Sequence, residues 1–155
     1  MRTRVGHSFI KAKMAETNAI FGGEHSGHFY FRDFWRADSG MLAALHALAA
    51  LGGSPAGTTL SSLLSPYDRY VPSGEINSTV RDVRERTAAV QGAFRDRTGG
   101  TADHLDGLTV EAAAWWFNLR PSNTEPLLRL NVEADDVPTM ELVRDEVLGI
   151  VRGGA

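Results

Sequence analysis

The stretch Ala114-Trp-Trp-Phe-Asn-Leu-Arg-Pro-Ser-Asn-Thr-Glu-Pro-Leu-Leu-Arg-Leu-Asn-Val-Glu-Ala134 decides how the second half of the chain folds. Within Leu127–Ala134, the residues Leu128, Leu130, Val132 and Ala134 alternate with Arg129, Asn131 and Glu133. A period of two predicts a strand with one buried face. Ala114–Leu119 is a second strand, and its consecutive Trp115, Trp116 and Phe117 must face both sides of a sheet, as core and edge residues. Outward from this pair, Met140, Val143, Val147 and Val151 mark one face of a closing helix, with Pro138 in its first turn. Upstream, Tyr70–Ile76 reads as a strand, and Asn77-Ser78-Thr79 as the cap of a helix from about Ser78 to Arg97. Val80, Val83, Thr87, Val90 and Phe94 form the apolar face of that helix, and Gly99-Gly100 ends it. Short strands follow at Ala102–Leu105 and Leu108–Glu111. The order strand, helix, strands, helix predicts a small α+β domain, an antiparallel sheet with two helices on one face.

The first half has a different texture. A helix from about Ser8 to Glu16 precedes a strand at Ala19-Ile20-Phe21, the glycine-punctuated segment Gly22–His28, and a strand at Phe29-Tyr30-Phe31. Ser39 is a good N-cap for a helix running to Leu51 and stopped by Gly52-Gly53. Alanines around its apolar stripe suggest burial on more than one side. Thr58 or Thr59 caps a short helix that stops before Pro66. This is too little sheet to stand alone: it reads as the end of an α/β domain, with an open edge and an apolar face left exposed. The expected division is 1–65, an α/β remnant, and 66–155, the small α+β domain.

The chain has 155 residues, 43% hydrophobic and 23% charged, and no cysteine. That excludes a disulfide framework and thiolate metal sites and suits a reducing cytoplasm. A net charge of −3 argues against a nucleic-acid binder, so any anion site must be a local arrangement of donors. No signal peptide or membrane span is legible. The expectation is a cytoplasmic protein that partners neither nucleic acid nor membrane.

Three segments could carry chemistry. Arg120-Pro-Ser-Asn-Thr124 offers a guanidinium fork, two hydroxyls, an amide and a turn whose N–H groups can converge on an anion, although a plain polar turn uses the same letters. In Gly22–His28, read as extended, Glu24, Ser26 and His28 alternate and point one way, a set suited to sugar hydroxyls. A glycine turn, or a zinc site of Glu24, His25 and His28, explains the same residues. In Gly6-His7-Ser8, with Lys11 a turn later, a helix N-terminus favours an anion, or Ser8 or His7 merely caps the helix. His46 and His104 have no partners legible in the sequence.

Taken together, Gly6-His7-Ser8…Lys11, Gly23-Glu24-His25-Ser26-Gly27-His28 and Arg120-Pro-Ser-Asn-Thr-Glu-Pro126 resemble the α-D-phosphohexomutases, in particular the bacterial phosphomannomutase/phosphoglucomutase branch. The family has four domains around a cleft, and the resemblance places this chain in the later part of domain 3 and in domain 4. It implies that Gly6, His7, Glu24, Ser26 and His28 face the sugar, and that Arg120, Ser122, Asn123 and Thr124 bind phosphate. It implies an isomerase moving a phosphoryl group between hexose 1-phosphate and hexose 6-phosphate of mannose or glucose, with Mg2+ in the full-length enzyme. The family's phosphoserine loop and Asp-Gly-Asp-x-Asp-Arg metal loop have no counterpart here. This part alone is therefore expected to hold no catalytic or metal-binding residue, to lack mutase activity, and to need the N-terminal domains of its parent. The alternative is a non-catalytic sugar-phosphate-binding or interaction module.

Overall fold

In the computed structural model, which describes residues 1–97, 102–122 and 125–153, the alternation at the end of the sequence becomes the central strand pair. The chain forms two compact units, Met1–Asp68 and Arg69–Ala155. In the second, β8 (Trp115–Pro121) pairs antiparallel with β9 (Leu127–Ala134), and β7 (Leu108–Glu111) and β6 (Ala102–Asp103) extend the sheet beyond β8. On the other side β4 (Val71–Pro72) and β5 (Ile76–Thr79) both pair with β9, one beside each end. Burial in β9 alternates strictly: Leu128, Leu130, Val132 and Ala134 are buried and the residues between them are not.

The buried face is covered by α4 (Val83–Phe94) and α5 (Val137–Arg152), which contribute Val90, Phe94, Met140, Val143, Val147 and Val151 to a core shared with Phe117, Leu119 and the inner residues of β9. Asp136 caps α5 by accepting from the Thr139 N–H at 2.8 Å, and Pro138 sits in the first turn, where its missing N–H costs nothing. Phe94, Trp115 and Phe117 close the sheet end, with Trp115 stacked parallel to Phe117 at 6.0 Å.

Two expectations for this unit fail at the helix start. The expected strand 70–76 is two short strands, separated at Ser73-Gly74-Glu75, where Gly74 takes φ +68°. Asn77, Ser78 and Thr79 belong to β5, not to a helix cap, because Ser78 is buried against β9 and accepts a hydrogen bond from Arg152 Nε at 3.0 Å. The helix begins at Val83, capped by Asp82, which accepts from the Glu85 N–H at 2.9 Å.

The first unit contains α1 (His7–Thr17), the three-stranded antiparallel sheet β1 (Phe21–Gly23), β2 (Phe29–Phe31) and β3 (Ala37–Asp38), then α2 (Gly40–Gly52) and α3 (Leu60–Leu64). Strand β3 is not legible as a strand in the sequence; it exists because Trp35 and Arg36 both adopt positive φ and turn the chain back onto β2. Ser39 caps α2 as expected, and Thr59 forms a full capping box with Ser62. The small core is Ile10, Met14 and Tyr30. No residue of α2 is buried, contrary to the expectation from its alanines; Met41, Leu45 and Leu48 are exposed. Between α2 and the sheet lies an open apolar groove of about 800 Å³, lined by Phe21, Phe29, Phe31, Leu42, Ala43 and His46. His46 stacks on Phe31 at 5.3 Å.

Candidate functional site

The segment after β1 is a tight turn and not an extended loop. Glu24 N–H donates to the His28 carbonyl at 2.9 Å and Gly27 N–H donates to the Glu24 carbonyl at 3.0 Å, with Gly27 at φ +83°. A left-handed residue here needs glycine. The turn brings Glu24 and Ser26 together: Ser26 Oγ donates to Glu24 Oε2 at 3.0 Å. The other carboxylate oxygen accepts from the Tyr30 hydroxyl at 2.7 Å. Tyr30 is buried on β2, so the carboxylate is fixed from below while Ser26 lies exposed above it. Burial, and then the bond to Glu24, push the Tyr30 phenol well above its ordinary pKa, keeping it protonated as a donor.

His28 does not join Glu24 and Ser26 in one row. Its Nδ1 lies 2.7 Å from Asp38 Oδ2, and Asp38 Oδ1 accepts from the Phe29 N–H at 2.8 Å. The hydrogen bond to Asp38 holds the imidazole above the usual histidine value of 6.5. The same bond, with the Phe29 N–H, holds Asp38 below 3.8. With Nδ1 bonded to Asp38, the His28 side chain stays half exposed. Glu24 and His28 thus already have protein partners, and among the described residues no group of three or more His, Cys, Asp or Glu could hold a metal ion.

Gly6 is the N-cap of α1 at φ +126°, with its carbonyl accepting from the Phe9 and Ile10 N–H groups; no side chain caps this helix. His7 and Ser8 lie inside its first turn as exposed residues, not as caps.

In the second unit, Arg120 is a strand residue, directly opposite Arg129 in the β8–β9 register. Both belong to the sheet face away from the helices, where Trp116 lies opposite Glu133 and Asn118 opposite Asn131. Trp116 Nε1 donates to Glu133 at 3.0 Å, and Asn118 donates to Thr109 Oγ1 at 3.0 Å and to the Asp106 carbonyl at 2.8 Å. At the loop end, Glu75 bridges the two arginines: Arg120 Nη2 donates to one carboxylate oxygen and Arg129 Nη1 to the other, each at 2.9 Å. Ser122 N–H donates to the Leu127 carbonyl at 2.9 Å and closes the loop on itself. Asn123 and Thr124, the remaining expected phosphate ligands, lie outside the described residues.

Behind Arg120 the turn between β6 and β7 approaches very closely. A Cβ on Gly107 would stand 2.6 Å from the Leu119 carbonyl oxygen and 2.7 Å from Arg120 Cα. Gly107 and the Asn118 bonds therefore fix the height of the strand end that carries Arg120.

Residues 1–70 match the model of the phosphoglucomutase/phosphomannomutase α/β/α domain III, and residues 75–150 match the C-terminal domain of the same proteins. The chain belongs to the phosphoglucomutase/phosphomannomutase family. It is 41% identical over 151 residues to a phosphomannomutase of Methanocaldococcus jannaschii, with 97% of this chain and 32% of that protein covered. It is 44% identical over 150 residues to a protein of Xanthomonas campestris described as phosphohexose mutases, with 96% and 33% covered. A crystal structure of a phosphoglucomutase/phosphomannomutase family protein from Burkholderia thailandensis is similar with a TM-score of 0.77 at 28% identity, over 99% of this chain and 33% of that one. The chain thus spans about a third of the length of the relatives it matches.

Four residues of the hydrogen-bond networks around the candidate side chains were not singled out from the sequence: Tyr30, Asp38, Glu75 and Arg129. Tyr30 and Arg129 read there only as strand residues, and Glu75 sits in the break of a strand the sequence drew unbroken. Among the described residues no helix is long and apolar enough to cross a membrane.

Proposed function

We propose that this chain supplies the sugar-recognition and phosphate-recognition loops of a phosphomannomutase/phosphoglucomutase, an isomerase that interconverts hexose 1-phosphate and hexose 6-phosphate. Glu24 and Ser26 accept and donate hydrogen bonds to sugar hydroxyls, with Gly6, His7 and His28 as further sugar contacts. Arg120, Ser122, Asn123 and Thr124 bind the phosphate that is not reacting. The observation that carries this reading is the state of the two motif loops in a chain of this family. Glu24 is fixed by a buried tyrosine yet met by an exposed hydroxyl, and Arg120 stands at a loop mouth where two guanidiniums share a single carboxylate.

The chemistry follows from which groups are present. Vicinal hydroxyls each offer one donor and two acceptors, so an aligned carboxylate–hydroxyl pair can bind them in either sense. An arginine fork matches phosphate oxygens in charge and geometry. These groups position the substrate and transfer nothing. Mg2+, which the family implies, finds no ligand set among the described residues. In the whole protein the nucleophile and metal lie in the domains beyond this third, and the 155-residue chain alone is inactive as a mutase. Those domains are its expected partners, and the apolar groove beside α2 offers them a surface to pack on.

An NMR titration of the chain with mannose 1-phosphate and glucose 6-phosphate tests the assignment. Saturable shifts are expected at Glu24–His28 and at Arg120–Thr124; shifts centred elsewhere would defeat it.

A further inference from the structure

We propose that Asp38 is a positioning residue of the sugar loop: it keeps a proton on His28 Nδ1, so that Nε2 is the ring nitrogen that meets a hydroxyl of the sugar phosphate. The inference rests on reading Glu24–His28 as the sugar loop, and adds to it a residue from another strand.

Asp38 grips the start of β2 at two points. Its Oδ2 lies 2.7 Å from His28 Nδ1, and its Oδ1 accepts from the Phe29 N–H at 2.8 Å. An ionised carboxylate only accepts, so the proton in the first contact belongs to Nδ1. The bond to His28, and then the Phe29 N–H, hold Asp38 below its ordinary pKa and so keep it ionised. The tautomer of an imidazole follows the hydrogen bond that one of its nitrogens makes. Here that bond fixes Nδ1–H, while Nε2 has no hydrogen-bond partner among the described residues. When the ring is charged, Nε2–H donates; when it is neutral, the Nε2 lone pair accepts from a hydroxyl. Nδ1 keeps its proton in both states, so His28 titrates at the nitrogen left for the ligand. Besides Asp38, the charge that reaches the ring is that of Glu24 in the same turn.

The backbone is bent to deliver this carboxylate. Trp35 and Arg36 take φ +54° and +52°, a region that bulky side chains rarely enter. Trp35 stays 79% exposed, so the turn is not made to bury it. What the turn produces is a strand of two residues, with Asp38 registered opposite Tyr30 and the Ser39 N–H donating to the Phe29 carbonyl at 2.9 Å. His28 and Asp38 are both exposed, so their bond satisfies no buried group. Backbone strain that buries nothing points to a use for the position it holds.

The test is long-range 1H–15N NMR of the 155-residue chain, which reads the protonation of each ring nitrogen across a pH titration. His28 Nδ1 is expected to stay protonated throughout, with the large change at Nε2. Asp38→Ala should move proton population onto Nε2 and weaken binding of mannose 1-phosphate roughly fivefold, the weight of one misplaced hydrogen bond. Asp38→Asn, which keeps an acceptor without the charge, should fall between. A neutral wild-type His28 carrying its proton on Nε2 overturns the inference. So does an Asp38→Ala chain with the wild-type tautomer, or with affinity within about 1.5-fold of wild type. If circular dichroism shows Asp38→Ala unfolded, the wild-type tautomer and Asp38→Asn decide: an Asp38→Asn affinity equal to wild type overturns it. A wild-type chain that holds the Nδ1 proton but gives no saturable shift at Glu24–His28 with mannose 1-phosphate defeats the sugar reading itself, and the inference with it.

Discussion

Replacing Gly107 by alanine tests whether the turn behind Arg120 is as tight as its geometry requires. Gly107 has φ +78°, and an added methyl would meet the Leu119 carbonyl oxygen at 2.6 Å and the Cα and Cβ of Arg120 at 2.7 Å. The left-handed conformation costs an L-residue about 1–2 kcal/mol. Forcing an extra methyl into packed backbone costs about 1–3 kcal/mol more. Gly107→Ala should therefore destabilise the second unit by about 2–5 kcal/mol. Gly149→Ala is the control: that glycine lies inside α5, and its added Cβ would meet nothing within 4 Å. It should gain about 0.5–1 kcal/mol from helix propensity. Urea unfolding followed by tryptophan fluorescence in a Trp35→Phe background isolates the signal of Trp115 and Trp116. At a slope near 1–2 kcal/mol/M, the Gly107 variant should lose more than about 1 M in midpoint. A Gly107→Ala midpoint at or above wild type would refute the reasoning, since clash and backbone strain would both be absent.

Three further outcomes are expected. The His28–Asp38 pair gives a pH signature: the histidine's contribution to stability is complete below pH 6.5 and lost as pH rises through its raised folded value, while that of Asp38 is present above pH 3.8 and lost as pH falls through its depressed one. An NMR titration should place the His28 midpoint above 6.5, with Asp38→Asn returning it toward 6.5; an unchanged midpoint in that variant would remove Asp38 as the cause. Tyr30→Phe should cost about 1 kcal/mol and free the Glu24 carboxylate, seen as faster rotamer averaging of Glu24 by NMR, and a Glu24 as ordered as before would contradict its anchoring role. In a full-length family enzyme, Glu24→Ala at the equivalent place should lower kcat and raise KM together because it misorients the sugar, whereas Arg120→Ala should act mainly on KM for the sugar phosphate.

Much of this protein is decided locally, and that part was legible in the sequence. The alternation of Leu128, Leu130, Val132 and Ala134, the spacing of Met140, Val143, Val147 and Val151, and the Ser39 cap each depend on neighbours a few residues away, and each is found in the structure. The motif loops were legible for the same reason: their residues are contiguous. Where sequence reasoning failed, a distant partner had overruled a local preference. Asn77-Ser78-Thr79 has the letters of a helix cap, but the open edge of β9 takes it as a strand. The α2 alanines promised burial that no part of the described chain supplies.

The candidate site divides along the same line. Glu24, Ser26 and Arg120 can be named from their motifs, since a recognition loop must present its groups in sequence. Tyr30 under Glu24, Asp38 behind His28, and Glu75 between Arg120 and Arg129 can be named only after folding. Each acts through a hydrogen bond whose partner is chosen by strand register or by the turn that returns the chain, and Glu75 lies 45 residues from one of its arginines and 54 from the other. The sequence by itself determined which groups are candidates for the site; only the tertiary structure decided what holds those groups in place, because charge balance and packing are properties of neighbours in space.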